Sequence, residues 1–301
     1  MPNSQQDTLS QAAAALKEIR PAYNQIVDYF QQVFIIQERA LAELEYESAT
    51  IVIPRDKIVR RDGFPLLDIT QWPIDIAATQ NVMAEICDLT AAAGLKTAGS
   101  ARITAGMLNP AALRDQSRNT AKPGQRAELP EITADLVAAY LRQDDQFFTE
   151  RGSQWTVDPE FLEFAVYQGM VPSIRHCSRR LARHLEKENG AVRDTCPVCG
   201  SAPALAMYAD NGRRSALCGF CRHHWQLKRV HCPFCHNEDN NSLQYLYSEE
   251  EPEYRVDVCD RCRKYLKCVD LRQTGRVFFA PLEHAATVHL DLKAREAGYT
   301  G

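Results

Sequence analysis

The sequence predicts a multi-domain protein of α and β structure: an all-α N-terminal domain, two tandem metal-binding ribbon modules and a C-terminal helix. Three observations lead to this prediction. Helical periodicity dominates the N-terminal part, Cys-x-x-Cys pairs occur only in the C-terminal part, and the segments between those pairs alternate apolar with polar residues. The predicted boundaries are 1–190 for the helical domain, 191–230 and 231–275 for the two ribbons, and 276–301 for a short strand and helix that pack back on a neighbouring domain.

The predicted helices follow from apolar residues that recur every three or four positions. They cover 7–48, with Pro21 starting the longer part, then 74–93, 133–148 and 161–188. We expect Gly94 to close the second helix. Gly169 and Pro172 predict an interruption of the last one, because both residue types weaken helix interiors. A further helix is predicted at 101–115, before a polar stretch at 116–130.

A proline-punctuated segment over 51–73 is predicted to be extended, because proline restricts the residue before it and has no N–H to donate. Apolar residues of this segment, among them Phe64, Leu66 and Leu67, must be buried somewhere. We interpret the segment as an arm laid over its own chain. A surface for a partner chain is the alternative interpretation.

Four Cys-x-x-Cys knuckles organise the C-terminal part of the chain. They consist of Cys196 and Cys199, Cys218 and Cys221, Cys232 and Cys235, and Cys259 and Cys262. Two thiolates three positions apart can face one ion across a tight turn, and two such knuckles complete a tetrahedral four-sulfur site. The eight cysteines therefore predict two mononuclear metal ions. Four thiolates accept either zinc or iron, so the ligands alone leave the metal open.

A predicted β-hairpin lies between the first and second knuckles, and another lies between the third and fourth. The first hairpin turns at Asn211-Gly212, which tolerates the positive φ of a tight turn, and the second turns at the acidic stretch 249–253. A further strand follows each hairpin's second knuckle, so one unit of knuckle, hairpin, knuckle and strand is repeated. This repeat predicts that the first four cysteines share one metal and the last four share the other. Nested or interleaved pairing stays possible.

Disulfides and a thioredoxin-like redox pair are the competing interpretations of the knuckles. A redox Cys-x-x-Cys usually opens a helix and occurs once, whereas these pairs enclose hairpins. Histidines beside the knuckles could replace a cysteine as ligand; they are His223, His224, His231 and His236. Because eight cysteines suffice for two sites, we expect these histidines to be supporting or surface residues.

Composition and charge exclude several classes of protein. The chain has 301 residues, a net charge of −4, no apolar stretch of membrane-spanning length and no signal pattern, so a cytoplasmic protein is predicted. Residues 196–272 contain eleven Lys or Arg and ten Asp or Glu, which gives no concentrated basic face for phosphates. The sequence also lacks a phosphate-binding glycine loop and a nucleophile elbow, and closed four-sulfur sites leave no open coordination position. We therefore predict that it is not an enzyme.

Five stretches of the sequence resemble the FdhE family of formate dehydrogenase accessory proteins. They are FPLLD from Phe64, CPVCGSAPALAMY from Cys196, CGFCRHHWQLKRVHCPFC from Cys218, CDRCRKYLK from Cys259 and HLDLKAREAGY from His289. The resemblance covers nearly the whole chain, and all eight knuckle positions are cysteine.

This resemblance implies a cytoplasmic chaperone-like factor in protein maturation, which binds the catalytic subunit of a respiratory formate dehydrogenase before its export. It also implies rubredoxin-like modules with iron rather than zinc on the eight cysteines. Two alternatives stay open: a redox protein whose iron centres deliver electrons to the client, and a nucleic-acid-binding zinc-ribbon protein. A homodimer also stays open.

Overall fold

The computed structural model of the chain describes residues 3–44, 64–94, 129–155, 157–185 and 192–301. The predicted helix at 101–115 and almost all of the polar stretch after it lie outside these residues. The chain divides into two compact units, which are Met1–Gln31 with Val52–Asp68 and Ser178–Gly301, and Gln32–Ile51 with Ile69–Cys177. No helix within the described ranges is long and apolar enough to cross a membrane.

This division differs from the predicted boundary at residue 190, because the N-terminal helix belongs to the same unit as the metal-binding part. The contacts of Arg20 explain the difference. Its guanidinium donates to the carbonyl of Ala286 at 3.2 Å and pairs with Glu251 at 2.5 Å, while its side chain is only 6% exposed. A buried cation held in this way ties the N-terminal segment to the C-terminal part of the chain.

Helices make up the described N-terminal part. They are α1 Asn3–Ile19, α2 Asn24–Glu43, α3 Ile76–Ala93, α4 Leu129–Leu141, α5 Asp145–Trp155 and α6 Pro159–Ala182, with 3-10 turns at Pro21–Tyr23 and Ile69–Gln71. Gly94 ends α3 as predicted, since its φ of 59° allows the amide to bond back to the carbonyl of Ala91.

The single helix predicted over 133–148 is two helices, α4 and α5. Gln143 adopts a left-handed φ of 56°, which ends the first helix. Asp144 then caps the second, because its carboxylate accepts a hydrogen bond from the amide of Phe147 at 3.0 Å. Asp144 is therefore a helix-start signal within the predicted helix.

The interruption predicted at Gly169 and Pro172 is wrong, because α6 runs through both residues. Pro172 cannot donate to the carbonyl of Gln168, and that carbonyl instead accepts from the buried amide of Gln37 at 3.0 Å. Gly169 lies against α3, where a Cβ atom would come within 2.5 Å of the side chain of Met83. Both helix breakers are thus accommodated by neighbouring side chains in the core.

Six strands follow in the C-terminal part, and both predicted hairpins are confirmed. They are β1 Pro203–Tyr208, β2 Arg214–Cys218, β3 His224–Leu227, β4 Leu243–Tyr247, β5 Tyr254–Cys259 and β6 Tyr265–Asp270. Each ribbon is an antiparallel meander of three strands, β1 to β3 and β4 to β6. The predicted fold class of helical region, metal-binding β modules and C-terminal helices is therefore confirmed.

The two ribbons are not separate sheets, as tandem domains would be. They form one six-stranded sheet with the order β3-β2-β1-β6-β5-β4, in which β1 and β6 pair in parallel from Leu205 opposite Lys267 to Tyr208 opposite Asp270. Pairing removes two exposed strand edges that independent ribbons would present to solvent. The apolar core on this sheet is also common to both ribbons, with Leu205 and Met207 from one and Val256 from the other.

The C-terminal segment differs from its prediction in detail. Residues 276–279 form no strand, and three short helices follow β6, which are α7 Leu271–Thr274, α8 Ala280–Ala285 and α9 Val288–Glu296. The apolar spacing predicts one helix with Leu282, Ala285, Val288 and Leu292 on its inward face. Val288 and Leu292 are instead 41% and 54% exposed, whereas Leu290 and Ala294 are buried against the core of the sheet. The break between α8 and α9 rotates the inward face, which a single continuous helix would not do.

Candidate metal centres

The four knuckles share one backbone conformation. In each, the amide of the first cysteine donates to the carbonyl five residues later, at 2.9 to 3.0 Å; the acceptors are Ser201, His223, Asn237 and Lys264. The residue after the second cysteine has a positive φ in every knuckle, with values of 79° at Gly200, 58° at Arg222, 60° at His236 and 59° at Arg263. This left-handed residue turns the chain so that both sulfurs of a knuckle point the same way. In three knuckles this residue has a Cβ atom, and the left-handed conformation then costs roughly 1 kcal/mol.

The first cluster joins Cys196, Cys199, Cys218 and Cys221, all of which are buried. The Sγ atoms of Cys196 and Cys221 are 3.5 Å apart, and those of Cys199 and Cys218 are 3.4 Å apart. The closest sulfurs therefore come from different knuckles. All four Sγ atoms lie within 4.8 Å of one another.

The second cluster joins Cys232, Cys235, Cys259 and Cys262. Its cross-knuckle sulfur distances, Cys232 to Cys262 and Cys235 to Cys259, are both 3.7 Å. Cys235 and Cys262 are only partly buried, so one side of this cluster is nearer to solvent than any part of the first. Pairing in sequence order, which the repeat predicted, is the arrangement observed.

The sulfur distances match a tetrahedral metal site and exclude disulfides. A metal bound to four sulfurs at about 2.3 Å requires sulfurs roughly 3.8 Å apart, whereas a disulfide requires about 2.05 Å. The observed distances of 3.4 to 3.7 Å agree with the first requirement, and all eight cysteines are free thiols. The two clusters could therefore hold two metal ions. Zinc and iron both bind four thiolates in tetrahedral geometry, so the sulfur distances favour neither metal.

Burial opposes the ionisation of several cysteines in both clusters. Burial raises the pKa of Cys196 and of Cys221, whereas hydrogen bonds from neighbouring thiols, led by that of Cys196, lower the pKa of Cys199. In the second cluster, burial of Cys259 is outweighed by donors that include the backbone amide of Cys262 and the side chain of Asn237, so its pKa is lowered to about 7. A bound dication would offset the repulsion among four thiolates.

Hydrogen-bond donors reach the sulfurs in both clusters. The backbone amides of Phe220 and Cys221 lie 3.4 and 3.3 Å from the Sγ atom of Cys218, and the side-chain amide of Asn237 lies 3.6 Å from that of Cys259. Such donors stabilise negative charge on sulfur and tune the potential of an iron centre.

The other three cysteines lie outside the clusters and are buried; they are Cys87, Cys177 and Cys268. Burial raises the pKa of Cys87 and of Cys268 to about 12, as in inert core thiols. Two cations of the ribbons are neutralised by neighbouring carboxylates. Arg214 pairs with Asp257 at 2.8 Å and Lys228 pairs with Glu238 at 2.6 Å.

The FPLLD stretch contributes to the first knuckle, a role that its sequence did not indicate. The amides of Leu66 and Leu67 donate to the carbonyls of Pro197 and Val198 at 3.1 Å, and both leucine side chains are buried. Pro65 contacts Gly200, where a Cβ atom would lie 3.2 Å from its ring. Leu66 and Leu67 are therefore laid over the chain's own first knuckle, as predicted for the arm, whereas Phe64, which was expected to be buried, is 60% exposed.

Comparison with known proteins found relatives that are named FdhE or FdhE homolog. The chain is 36% identical to a "Protein FdhE homolog" of Aquifex aeolicus over 111 residues, which are 36% of this chain and 39% of that protein. It is 23% identical to a "Protein FdhE homolog" of Shewanella oneidensis over 183 residues, 57% of this chain and 60% of the other. It is 32% identical to "Protein FdhE" of an Escherichia coli strain over 116 residues, 37% of each chain.

The matches thus span 37 to 60% of the length of these relatives. No family model matches the sequence. Among solved structures, the crystal structure of the FdhE protein from Pseudomonas aeruginosa matches with a TM-score of 0.59 and 20% identity, over 98% of this chain and 93% of the other. At that identity the match supports the fold alone. The resemblance predicted from the knuckles is confirmed by these matches.

Proposed function

Because this chain resembles the FdhE family in sequence and in fold, we propose that it is an accessory protein required to form active formate dehydrogenase. In this proposal it performs no catalysis itself and binds the catalytic subunit of the dehydrogenase in the cytoplasm, before that subunit is exported. The observation that carries the proposal is the pair of four-sulfur clusters, formed by the cysteines that carry the family resemblance.

The eight clustered cysteines would hold two mononuclear metal ions, and the family resemblance favours iron over zinc. Iron on four thiolates would supply one-electron chemistry, whereas zinc would supply only a cross-link. In either case the cysteines themselves fix the ends of the strands, since each cluster draws its ligands from the two knuckles that flank one hairpin. Free thiols on eight clustered cysteines suit a reducing compartment, which supports the cytoplasmic assignment.

The metal is tested by elemental analysis and absorption spectroscopy of protein purified without air or chelators. We expect two irons per chain and thiolate-to-iron charge-transfer bands. Two zincs without visible bands would retain the two sites and overturn the assignment of iron. Fewer than two metals of any kind would overturn the metal sites themselves.

The accessory role is tested in a bacterium that lacks its own FdhE protein, with formate dehydrogenase activity as the readout. The wild-type chain should restore activity, and so should the control variant Cys268→Ser, whose cysteine lies outside both clusters. A variant with Cys232 and Cys235 changed to Ser should restore little. Direct binding is measured by calorimetry with the purified catalytic subunit. Restored activity by every variant, or no measurable binding, would contradict the proposal.

A redox role is a second candidate, which the exposure of the second cluster favours. Cys235 and Cys262 are partly exposed, so an iron centre there would lie close enough to the surface for electron exchange with a client. Reversible bleaching of the iron bands, followed by reoxidation on addition of the dehydrogenase subunit, would support this role. Zinc in the second cluster would exclude it.

A further inference from the structure

Two histidines and an aspartate form a cluster between the two ribbons that neither four-sulfur site uses. Asp194 lies two residues before the first knuckle, whereas His231 and His236 flank the third knuckle. The carboxylate of Asp194 faces both rings: one oxygen is 2.8 Å from Nε2 of His231 and the other is 2.6 Å from Nδ1 of His236. The candidate ligand atoms of the three residues lie within 4.8 Å of one another.

The buried ring of His231 lacks the hydrogen bonds that a buried imidazole normally makes. Its side chain is only 3% exposed, yet within the described part of the chain neither ring nitrogen has a hydrogen bond of acceptable geometry. Carboxylate oxygens are nevertheless near, at 2.8 Å from Nε2 for Asp194 and 3.5 Å from Nδ1 for Glu238. A buried imidazole without aligned hydrogen bonds requires some other partner, and a cation is a partner that imidazole and carboxylate ligands can share.

From this geometry we infer that Asp194, His231 and His236 form a third metal site, which binds a borderline divalent cation such as Zn²⁺ or Co²⁺. Imidazole and carboxylate ligands suit such ions, whereas the sulfur clusters suit softer coordination. The nitrogen and oxygen distances of 2.6 and 2.8 Å are shorter than the roughly 3.4 Å of a tetrahedral set with bonds near 2.1 Å. Cation binding would therefore replace the present hydrogen bond between Nδ1 of His236 and Asp194. The ring of His236, which is 70% exposed, can move outward, and the side chain of Asp194, which is 21% exposed, can move away from the buried ring of His231.

The surroundings of the site supply the support that metal-bound histidines require. Glu238 lies 3.5 Å from Nδ1 of His231 and would orient a ligating imidazole once this distance shortened to that of a hydrogen bond. Arg214 fixes the backbone by donating to the carbonyl of His231 at 3.0 Å. Lys228 pairs with Glu238 and Arg214 pairs with Asp257, which leaves the carboxylate of Asp194 to attract a dication.

The exposure of the three ligands makes this site open on one side. His231 is enclosed, Asp194 is 21% exposed and His236 faces solvent. Three protein ligands leave a fourth coordination position for water, unlike the closed four-sulfur clusters. A cation here would also cross-link the segment before the first ribbon to a knuckle of the second.

The test adds Co²⁺ to protein whose four-sulfur sites are already filled. We expect one further equivalent with the weak ligand-field bands of nitrogen and oxygen ligands and without new thiolate-to-cobalt charge transfer. His236→Gly should abolish that equivalent, and glycine suits the left-handed backbone at this position, where φ is 60°. The matched control His184→Ala removes an exposed histidine outside the cluster and should retain it.

Two outcomes overturn the inference. One is the absence of a further equivalent in the wild-type protein, which would leave the cluster as direct contacts between the two imidazoles and Asp194. The other is a further equivalent that persists in both His236→Gly and Asp194→Asn. The metal content of the four-sulfur sites, measured by elemental analysis, reports separately on the knuckles, so a folding defect in a variant is distinguished from the loss of this ligand set.

Discussion

Changing Cys196 and Cys199 together to serine should remove one metal ion and leave the other. The pair supplies two of the four sulfurs of the first cluster and none of the second, so metal content should fall from two ions per chain to one. The first ribbon should also lose much of its folding free energy, because a structural four-ligand metal contributes on the order of 10 kcal/mol to folding. Elemental analysis and the intensity of the charge-transfer bands measure the outcome.

The shared sheet makes this a stringent test of whether the two sites are independent. Strand β1 pairs with β6 from Leu205 to Tyr208, so disorder in the first ribbon deprives the second of a neighbouring strand. The second cluster nevertheless keeps its ligands, its own hairpin and its packing against α9. Cys268→Ser, a change in β6 outside both clusters, is the control and should keep two metals. Loss of both metals in the double variant, or of neither, would refute the reasoning.

Three further predictions concern the stability of the metal-loaded protein, measured by urea unfolding. Gly200→Ala should lower the free energy of unfolding by about 1 kcal/mol or more, because φ is 79° and the new Cβ atom would meet Pro65 at 3.2 Å. Gly275→Ala, with φ of 57° and open space, should cost less, and equal losses would show that the contact with Pro65 is unimportant. Glu283→Ala should cost about 3 kcal/mol, because the carboxylate is 0% exposed and its removal strands a buried arginine; a loss below about 1 kcal/mol would contradict this. Burial lowers the pKa of His284 to about 4, below the 6.5 or so of an unfolded histidine, so stability is present above pH 6.5 and is lost as the pH falls toward 4. Between pH 7 and pH 5 this loss should be about 2 kcal/mol, and a His284→Gln variant with the same pH slope as the wild type would exclude His284 as its source.

Much of the candidate site could be predicted from the spacing of the cysteines. A Cys-x-x-Cys pair is a local motif whose geometry depends on a few hydrogen bonds and one left-handed residue, so its conformation can be predicted without knowledge of distant parts of the chain. The repeat also predicted which knuckles share a cluster, because a hairpin returns its second end beside its first. The cluster of Asp194, His231 and His236 was not predicted, because the aspartate and the histidines are more than thirty residues apart in the chain.

Errors in the helical part have a different cause. Glycine and proline within 161–188 predicted an interruption, but the amide of Gln37 satisfies the carbonyl that Pro172 leaves free. The helix propensities of individual residues contain no information about a partner that lies over a hundred residues away. The inward face of the C-terminal helix was likewise misplaced, because the break between α8 and α9 changes the helical phase.

The sequence by itself determined the fold class, the two hairpins, the eight clustered cysteines and their pairing, because each depends on short-range periodicity, turn chemistry or ligand spacing. Tertiary structure decided that the two ribbons share one sheet through β1 and β6, that the N-terminal helix joins the metal-binding unit, and that FPLLD covers the first knuckle. Those features come from strand edges, buried cations and backbone groups that find partners far away in the chain. Such partners depend on the packing of the whole unit, and short-range sequence patterns do not specify them.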